Sequence, residues 1–376
     1  MKNIALLGAT GSIGKSTIEV IEQYKEQFNL YAVTCNKNTV VLDSILSRFA
    51  PRFALISDKE RCHYYKSTYR GKTEILCGND AMSRIIASED IDLFVNAISG
   101  FVGTLPTLEI LKRKKRIALA NKESVVVFGN LITKEQYKYI IPVDSEHNAI
   151  YQCLSGERPD NIKRIILTAS GGPFFKRQNL NGIKVDEALN HPTWSMGKKI
   201  TVDSATMINK GYEIIEAHHL FDLPVDKIDV LIHPQSIIHS LVAFKDNSVK
   251  ALLSIPDMKL PIEYALFEGE RCNSVISELK LEEIGHLDFY KPNETVFKGL
   301  LIARESAKTG GTLPAVLNAA DEAAVERFLK GDIEFLDIIK IVEKTINAHA
   351  VVKDPSIYDI IEANNWAYNF AEGVIL

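Results

Sequence analysis

A short apolar run, Ile4–Leu7, breaks into Gly8-Ala9-Thr10-Gly11-Ser12-Ile13-Gly14, and helical spacing follows from Lys15 to Tyr24, with Ile18 and Ile21 on one face. Strand, glycine turn and helix in that order form the context a dinucleotide fingerprint needs. Glycines there permit a tight turn and let main-chain N–H groups at the helix N-terminus approach a pyrophosphate. The spacing is G-x-x-G-x-x-G rather than G-x-G-x-x-G, so the same turn also fits a plain βα connection.

Strand-like runs then alternate with helical patterns at Leu30–Thr34, Phe53–Ile56, Glu74–Leu76, Ile91–Val95 and Arg116–Leu119. Repetition of this kind predicts an α/β chain opening with a Rossmann-like, doubly wound parallel sheet. After the second strand comes Cys35-Asn36-Lys37-Asn38, where a binder of NAD usually carries an acid for the ribose 2′-hydroxyl. A lysine and two amides favour a 2′-phosphate instead, hence NADP, unless Lys37 is simply a surface residue. Two more turns stand at strand ends, Asn96-Ala97-Ile98-Ser99-Gly100 and Ala120-Asn121-Lys122-Glu123-Ser124. Lys122 is either a donor to substrate oxygens or a partner of Glu123.

At 376 residues the chain is long enough for two or three domains, and 46% hydrophobic with 24% charged residues is a soluble globular profile. A net charge of −4 gives no basic footprint for nucleic acid. The basic run Lys112–Arg116 reads as the solvated end of a helix. Five scattered cysteines, none in a C-x-x-C pair, point to neither a disulfide framework nor a zinc site. The first apolar run is too short for a secretory signal and no stretch approaches membrane-spanning length, so a cytoplasmic protein is expected.

The chemistry concentrates in the middle. Pro142-Val143-Asp144-Ser145-Glu146-His147 closes an apolar run with two carboxylates at i and i+2, which can turn toward one point where a strand ends. A simpler reading makes Ser145 a helix cap and Glu146 a complement to the dipole. Thr168–Pro173 ends another strand in small residues, where Ser170 and the backbone at Gly171 could take a phosphate or form an ordinary turn. His191-Pro192-Thr193-Trp194-Ser195-Met196-Gly197 has the composition of a lid or of a packed surface loop. A helix is predicted over Ala205–Phe221, capped by Asp203 or Ser204, with Asn209, Lys210 and Glu213 sharing one face. That face is either a solvated ion pair or, with Asp144 and Glu146, an all-oxygen set suited to Mg²⁺ or Mn²⁺. His233 and His239 read as structural or supporting residues. Glu278–Pro292 is turn-rich, and Thr295–Thr309, Pro314–Lys330, Glu334–Asn347 and Ile357–Phe370 predict a helical bundle.

Taken together, G-A-T-G-S-I-G, A-L-A-N-K-E-S (Ala118–Ser124), P-V-D-S-E-H, T-A-S-G-G-P-F (Thr168–Phe174), H-P-T-W-S-M-G, D-S-A-T-M-I-N-K-G-Y-E (Asp203–Glu213) and H-P-Q-S-I-I-H-S (His233–Ser240) resemble the 1-deoxy-D-xylulose 5-phosphate reductoisomerase family, in its motif order and over nearly the whole chain. The resemblance implies rearrangement of the sugar phosphate by retro-aldol cleavage and aldol recombination, then reduction of the aldehyde by NADPH. The product would be 2-C-methyl-D-erythritol 4-phosphate, for isoprenoid synthesis. It implies a metal (Mg²⁺ or Mn²⁺, with Co²⁺ admissible) on Asp144, Glu146 and Glu213, catalytic together with Lys122. Phosphate would meet Ser170, Ser204, Asn209 and Lys210, with His191 bridging to the lid; Lys122 and Ser145 would touch hydroxyls. Glu146 and Glu213 would also face substrate, and Trp194, Met196 and Gly197 would cover substrate and nicotinamide. Gly8, Thr10, Gly11, Ser12, Ile13, Asn36, Lys37, Asn38, Asn121 and Glu123 match cofactor positions. A homodimer is implied, with no membrane partner.

The domains expected are 1–141 for NADPH, 142–277 for metal, substrate and dimerisation with lid 191–197, a linker 278–293, and a helical domain 294–376. Two positions depart from the family: Asn36 replaces an expected glycine beside the adenosine 2′-phosphate, and Asp321 an expected amide, far from the predicted site. A dehydrogenase of homoserine-dehydrogenase type would leave the three carboxylates unused. A non-catalytic NADP(H) sensor would leave the polar face of Asn209, Lys210 and Glu213 unexplained.

Overall fold

The apolar runs of the first third become strands covered on both faces, which is why they read as continuous rather than alternating. A computed structural model describes residues Met1–Leu376. Its strands are β1 (Lys2–Leu7), β2 (Phe28–Cys35), β3 (Phe53–Ile56), β4 (Glu74–Cys77), β5 (Leu93–Asn96), β6 (Ile117–Leu119) and β7 (Ile140–Pro142), ordered β4-β3-β2-β1-β5-β6-β7. Every pairing is parallel. From β1 the chain winds outward to β4, then restarts at β5 on the other side of β1. The carboxyl ends of β1 and β5 therefore flank the switch point, where open α/β sheets hold ligands.

This sheet belongs to a unit made of Met1–Ser124, Thr133–Ser145 and Asp257–Ser277. Two glycines explain how tightly the turn after β1 is drawn in. Gly8 has φ +85°, and a Cβ there would stand 2.6 Å from the carbonyl oxygen of Ala97, in the turn after β5. A Cβ on Gly14 would stand 2.3 Å from the Gly8 carbonyl oxygen. Gly11 precedes the helix Ser12–Gln23 with extended backbone, and its nearest contact would be an ordinary 3.5 Å.

The second unit comprises Val125–Ile132, Glu146–Pro256 and Glu278–Leu376. Its sheet has the order β11-β10-β8-β9, from β8 (Ile162–Ala169), β9 (Ile228–Ile232), β10 (Ile238–Phe244) and β11 (Val249–Leu253). Only β8 and β9 run parallel. Helices Lys198–Thr206 and Ile208–Leu220 carry the polar motifs, and Gly299–Thr309, Leu313–Lys330, Phe335–Ala348 and Ile357–Gly373 follow toward the C-terminus. One apolar core runs from Ile165 and Leu167 through Tyr212 and Ile215 to Phe328 and Phe335, so the C-terminal helices buttress the helix bearing Glu213.

Three expectations are corrected. Cys62 and Cys77 form a disulfide between helix Lys59–Thr68 and β4, a pairing that appears only when the helix folds back beside its strand. The helix predicted over Ala205–Phe221 breaks at Met207, whose φ of +62° is left-handed. Asp203 and Ser204 consequently lie inside the helix Lys198–Thr206 rather than capping one, because Lys199 pairs with Asp203 at i, i+4 and starts the helix earlier.

Gly14→Ala should lower the unfolding free energy by about 1–3 kcal/mol, the usual cost of forcing a group into filled space, while Gly11→Ala should change it little. Urea unfolding of the two variants checks this, and equal effects would contradict the packing described.

Candidate active site

In the first unit Lys122 and Asp144 form a nearly buried ion pair, Nζ to Oδ2 2.7 Å, with side chains 9% and 12% exposed. Their positions follow from topology: Lys122 comes just after β6 and Asp144 just after β7, adjacent parallel strands that end together. Asn121 and Glu123 hold the neighbouring turn. The Asn121 amide donates to the carbonyls of Ile98 and Gly100 at 2.8 and 3.0 Å, and Glu123 accepts from the Gly100 N–H at 3.2 Å. Both residues thereby shape the loop after β5, beside Gly8.

Residues 36–38 are exposed at the end of β2. Asn38 caps the helix Thr39–Phe49 through Val41 N–H, and Lys37 stands 3.5 Å from Asp58. Sequence inspection passed over Asp58, which caps the next helix by accepting from Arg61 N–H. That hydrogen bond, with Lys37 assisting, holds its carboxyl below the usual range. Thr10, Ser12 and Ile13 lie partly or fully exposed around Gly11, at the start of the helix Ser12–Gln23.

The second unit holds the acid-rich helix face, and its burial rules out a solvated ion pair: Lys210 is 5% and Glu213 1% exposed. Lys210 Nζ donates to Glu146 Oε1 at 2.9 Å and also to Glu213. Asn209 Nδ2 donates to Glu213 Oε1 at 2.7 Å. Oxygens of Glu146 and Glu213 come within 4.8 Å of each other. Breaking such a buried cluster by removing one member leaves an uncompensated charge, a loss of about 3–5 kcal/mol. Behind it, the fully buried His147 donates from Nε2 to the Glu213 carbonyl oxygen at 2.9 Å, and its Nδ1 lies 3.2 Å from Glu216. Neither His147 nor Glu216 was singled out in the sequence, although the i, i+3 relation of Glu213 and Glu216 puts both on one helix face.

Ser170 follows β8, and Gly172 (φ +63°) lets its turn close on the helix Lys198–Thr206, since a Cβ there would meet the Ser204 carbonyl oxygen at 2.8 Å. The turn that follows Ser170 is thus packed on the main chain at Ser204. His191 Nδ1 accepts from the main-chain N–H of Thr193 (3.1 Å) and of Trp194 (2.9 Å). That nitrogen carries no proton, so Nε2–H donates to Ser170 Oγ at 2.9 Å. Burial pushes the His191 pKa down to about 4. The segment 191–197 has no regular structure, Trp194 and Met196 are half-buried, and Thr193 Oγ1 donates to the Pro234 carbonyl. Trp194 leans over His239, ring centroids 6.3 Å apart, and His239 is itself bonded to Ser254 Oγ.

The residues singled out by sequence thus gather into two sets. Lys122 and Asp144, with the turns after β1, β2 and β5, lie in the first unit; Glu146, Ser170, His191, Trp194, Ser204, Asn209, Lys210 and Glu213 lie in the second. A dinucleotide-type sheet in one unit and a buried acid cluster in the other are features of an NAD(P)-dependent oxidoreductase. Comparison with known proteins narrows the class. Family models described as 1-deoxy-D-xylulose 5-phosphate reductoisomerase, 1-deoxy-D-xylulose 5-phosphate reductoisomerase C-terminal domain and DXP reductoisomerase C-terminal domain match residues 4–129, 140–221 and 253–370. The reductoisomerase of Bacillus pumilus is 47% identical and that of Bacillus subtilis 45%, each alignment covering 100% of both chains. A solved reductoisomerase from Zymomonas mobilis in complex with NADPH is 39% identical, with a TM-score of 0.91 over 99% of this chain and 98% of its own. Another, in complex with NADPH, fosmidomycin and magnesium, is 38% identical with a TM-score of 0.91 over 99% and 97%. The chain belongs to the 1-deoxy-D-xylulose 5-phosphate reductoisomerase family.

The folded pKa of His191 lies below its unfolded value of about 6.5, so the unfolded chain holds the proton more tightly. Its contribution to stability is complete above pH 6.5 or so and is lost as pH falls toward about 4. NMR titration should find the ring neutral down to about pH 4; a transition at the unfolded value would contradict the double N–H contact to Nδ1.

Proposed function

We propose that this chain converts 1-deoxy-D-xylulose 5-phosphate to 2-C-methyl-D-erythritol 4-phosphate, using NADPH and a divalent metal ion. The observation that carries the reading is the burial of Lys210 between Glu146 and Glu213. A buried ammonium facing two carboxylates and an amide is costly unless the site has work for each charge.

Asp144, Glu146 and Glu213 would hold the ion. The close approach of the Glu146 and Glu213 oxygens, and the i, i+2 placement of Asp144, fit a hard-oxygen set for magnesium or manganese. Bound there, the ion supplies Lewis acidity toward the substrate's ketone and hydroxyl oxygens. Lys210, once its carboxylates serve the ion, turns its charge to an anion, and Asn209, Ser170 and Ser204 add neutral donors around the same phosphate. His191, kept neutral, orders Ser170 on one side and the start of the lid on the other. Lys122 and Ser145 meet substrate hydroxyls, and Lys122 can steady an oxygen that gains negative charge. Trp194, Met196 and Gly197 exclude water from an intermediate that water would destroy.

Toward the cofactor, Gly8, Thr10, Gly11, Ser12 and Ile13 receive the pyrophosphate on main-chain N–H groups. Asn36, Lys37 and Asn38 receive the 2′-phosphate, with Lys37 leaving Asp58, and Asn121 and Glu123 set the wall of the nicotinamide end. A homodimer is the assembly proposed, supported by the outer position of β11, whose free edge and exposed Val249 can accept a second copy. No helix is long and apolar enough to cross a membrane. The cytoplasm, where reduced nicotinamide is regenerated, is the compartment proposed.

Purified protein should oxidise NADPH in the presence of 1-deoxy-D-xylulose 5-phosphate and Mn²⁺ or Mg²⁺, and stop on addition of EDTA. Glu213→Gln should lower kcat/KM by about 100-fold or more, the scale of a disturbed metal site. Turnover that survives the mutation would remove Glu213 from the metal. Turnover with no divalent ion present would overturn the metal dependence, and no turnover with any divalent ion tried, in folded and NADPH-bound protein, would overturn the reaction.

A further inference from the structure

Asp321, expected far from the predicted site, is tied to two helices that carry residues of that site. It has no exposed surface, in the middle of the helix Leu313–Lys330. Its Oδ2 accepts from Lys199 Nζ at 2.8 Å and from the Tyr212 hydroxyl at 2.9 Å, donors on two different helices. Lys199 also donates to Asp203 at 2.6 Å, and its ammonium stands 5.4 Å from the centroid of the Tyr212 ring. In the chain, Lys199 comes two residues after the lid ends at Gly197, Asp203 directly precedes Ser204, and Tyr212 directly precedes Glu213.

The joint between those helices is buried and is held by local hydrogen bonds, among them Met207 N–H to the Ser204 carbonyl at 3.2 Å. It passes through Met207 in the left-handed region, and no side chain caps the helix that follows. How Ser204 stands relative to Asn209, Lys210 and Glu213 depends on the joint and also on ties made from outside it. Asp321 is an acceptor that both helices share. A buried carboxylate adds little stability over an apolar residue of its size, but it fixes donors in one geometry.

We propose that Asp321 is a positioning residue for substrate binding: through Lys199 it fixes the helix carrying Ser204 and the exit of the lid, and through Tyr212 the helix carrying Asn209, Lys210 and Glu213. This rests on the function proposed above only for the identity of the substrate; the phosphate site it positions is tested separately. Asn at this position keeps an acceptor oxygen for both donors, whereas Leu keeps the volume and removes both bonds.

The test is steady-state kinetics together with binding of inorganic phosphate, read by Trp194 fluorescence in a Trp366→Phe background. Asp321→Leu should raise KM for 1-deoxy-D-xylulose 5-phosphate, and the dissociation constant for phosphate, by about tenfold, since small misplacements of binding groups act at this scale. KM for NADPH should stay unchanged and Asp321→Asn should restore wild-type values. Tyr212→Phe should give a smaller rise that does not add to that of Asp321→Leu. Weakened phosphate binding in Asp321→Leu upholds the proposal even if the wild type fails to turn over this substrate, in which case the proposed reaction alone falls. A folded Asp321→Leu protein with unchanged phosphate binding overturns it, as does an equal rise in KM for NADPH. If Asp321→Leu does not fold, Tyr212→Phe decides: unchanged phosphate binding overturns the proposal and weakened binding upholds it.

Discussion

A single ammonium group, Lys210 Nζ, lies between the carboxylates of Glu146 and Glu213 where almost no water reaches. Two acids and an amide could not be packed against an apolar core without it, because each buried carboxylate would otherwise face the full desolvation penalty. Much of the second unit serves that cluster. The helix Ile208–Leu220 is covered by the C-terminal helices on its apolar side, His147 pins the Glu213 carbonyl, and Asn209 restrains the Glu213 carboxylate. The first unit repeats the device on a smaller scale with Lys122 and Asp144. In the function proposed, acids kept in place by lysines would be preorganised for a stronger cation, and the lysines would become available to an anion.

Rigidity is distributed unevenly around this centre. The turn after β1 is fixed by contacts closer than a side chain allows, so its main-chain donors stay in place without a ligand. The segment 191–197 has no regular hydrogen bonding, yet both of its ends are tied down, by His191 on Ser170 and by Lys199 on Asp203 and Asp321. Between those ends Thr193 and Trp194 are held through His191 Nδ1 and the Pro234 carbonyl.

Much of this was legible in the sequence because it depends on local rules. The order strand, glycine turn, helix follows from apolar runs and the special backbone needs of Gly8, and the parallel sheet from its repetition. The i, i+3 and i, i+4 spacing of Asn209, Lys210 and Glu213 follows from helix geometry. What local rules missed has a consistent cause. Met207 breaks a helix that propensity alone would continue, since the joint is decided by packing on both sides. The Cys62–Cys77 bond and the Asp321 contacts join residues distant in sequence. The return of Asp257–Ser277 to the first unit has no sequence signal at all.

The sequence by itself determined the kind of sheet and the family, because periodicity, glycine placement and motif order are properties of the chain read in one dimension. Only the tertiary structure decided that the Lys210–Glu213 face is buried rather than solvated, which tautomer His191 adopts, and that Asp321 reaches two helices at once. Those outcomes depend on which surfaces exclude water and which donors meet which acceptors. Such facts exist only once segments far apart in the chain have packed together.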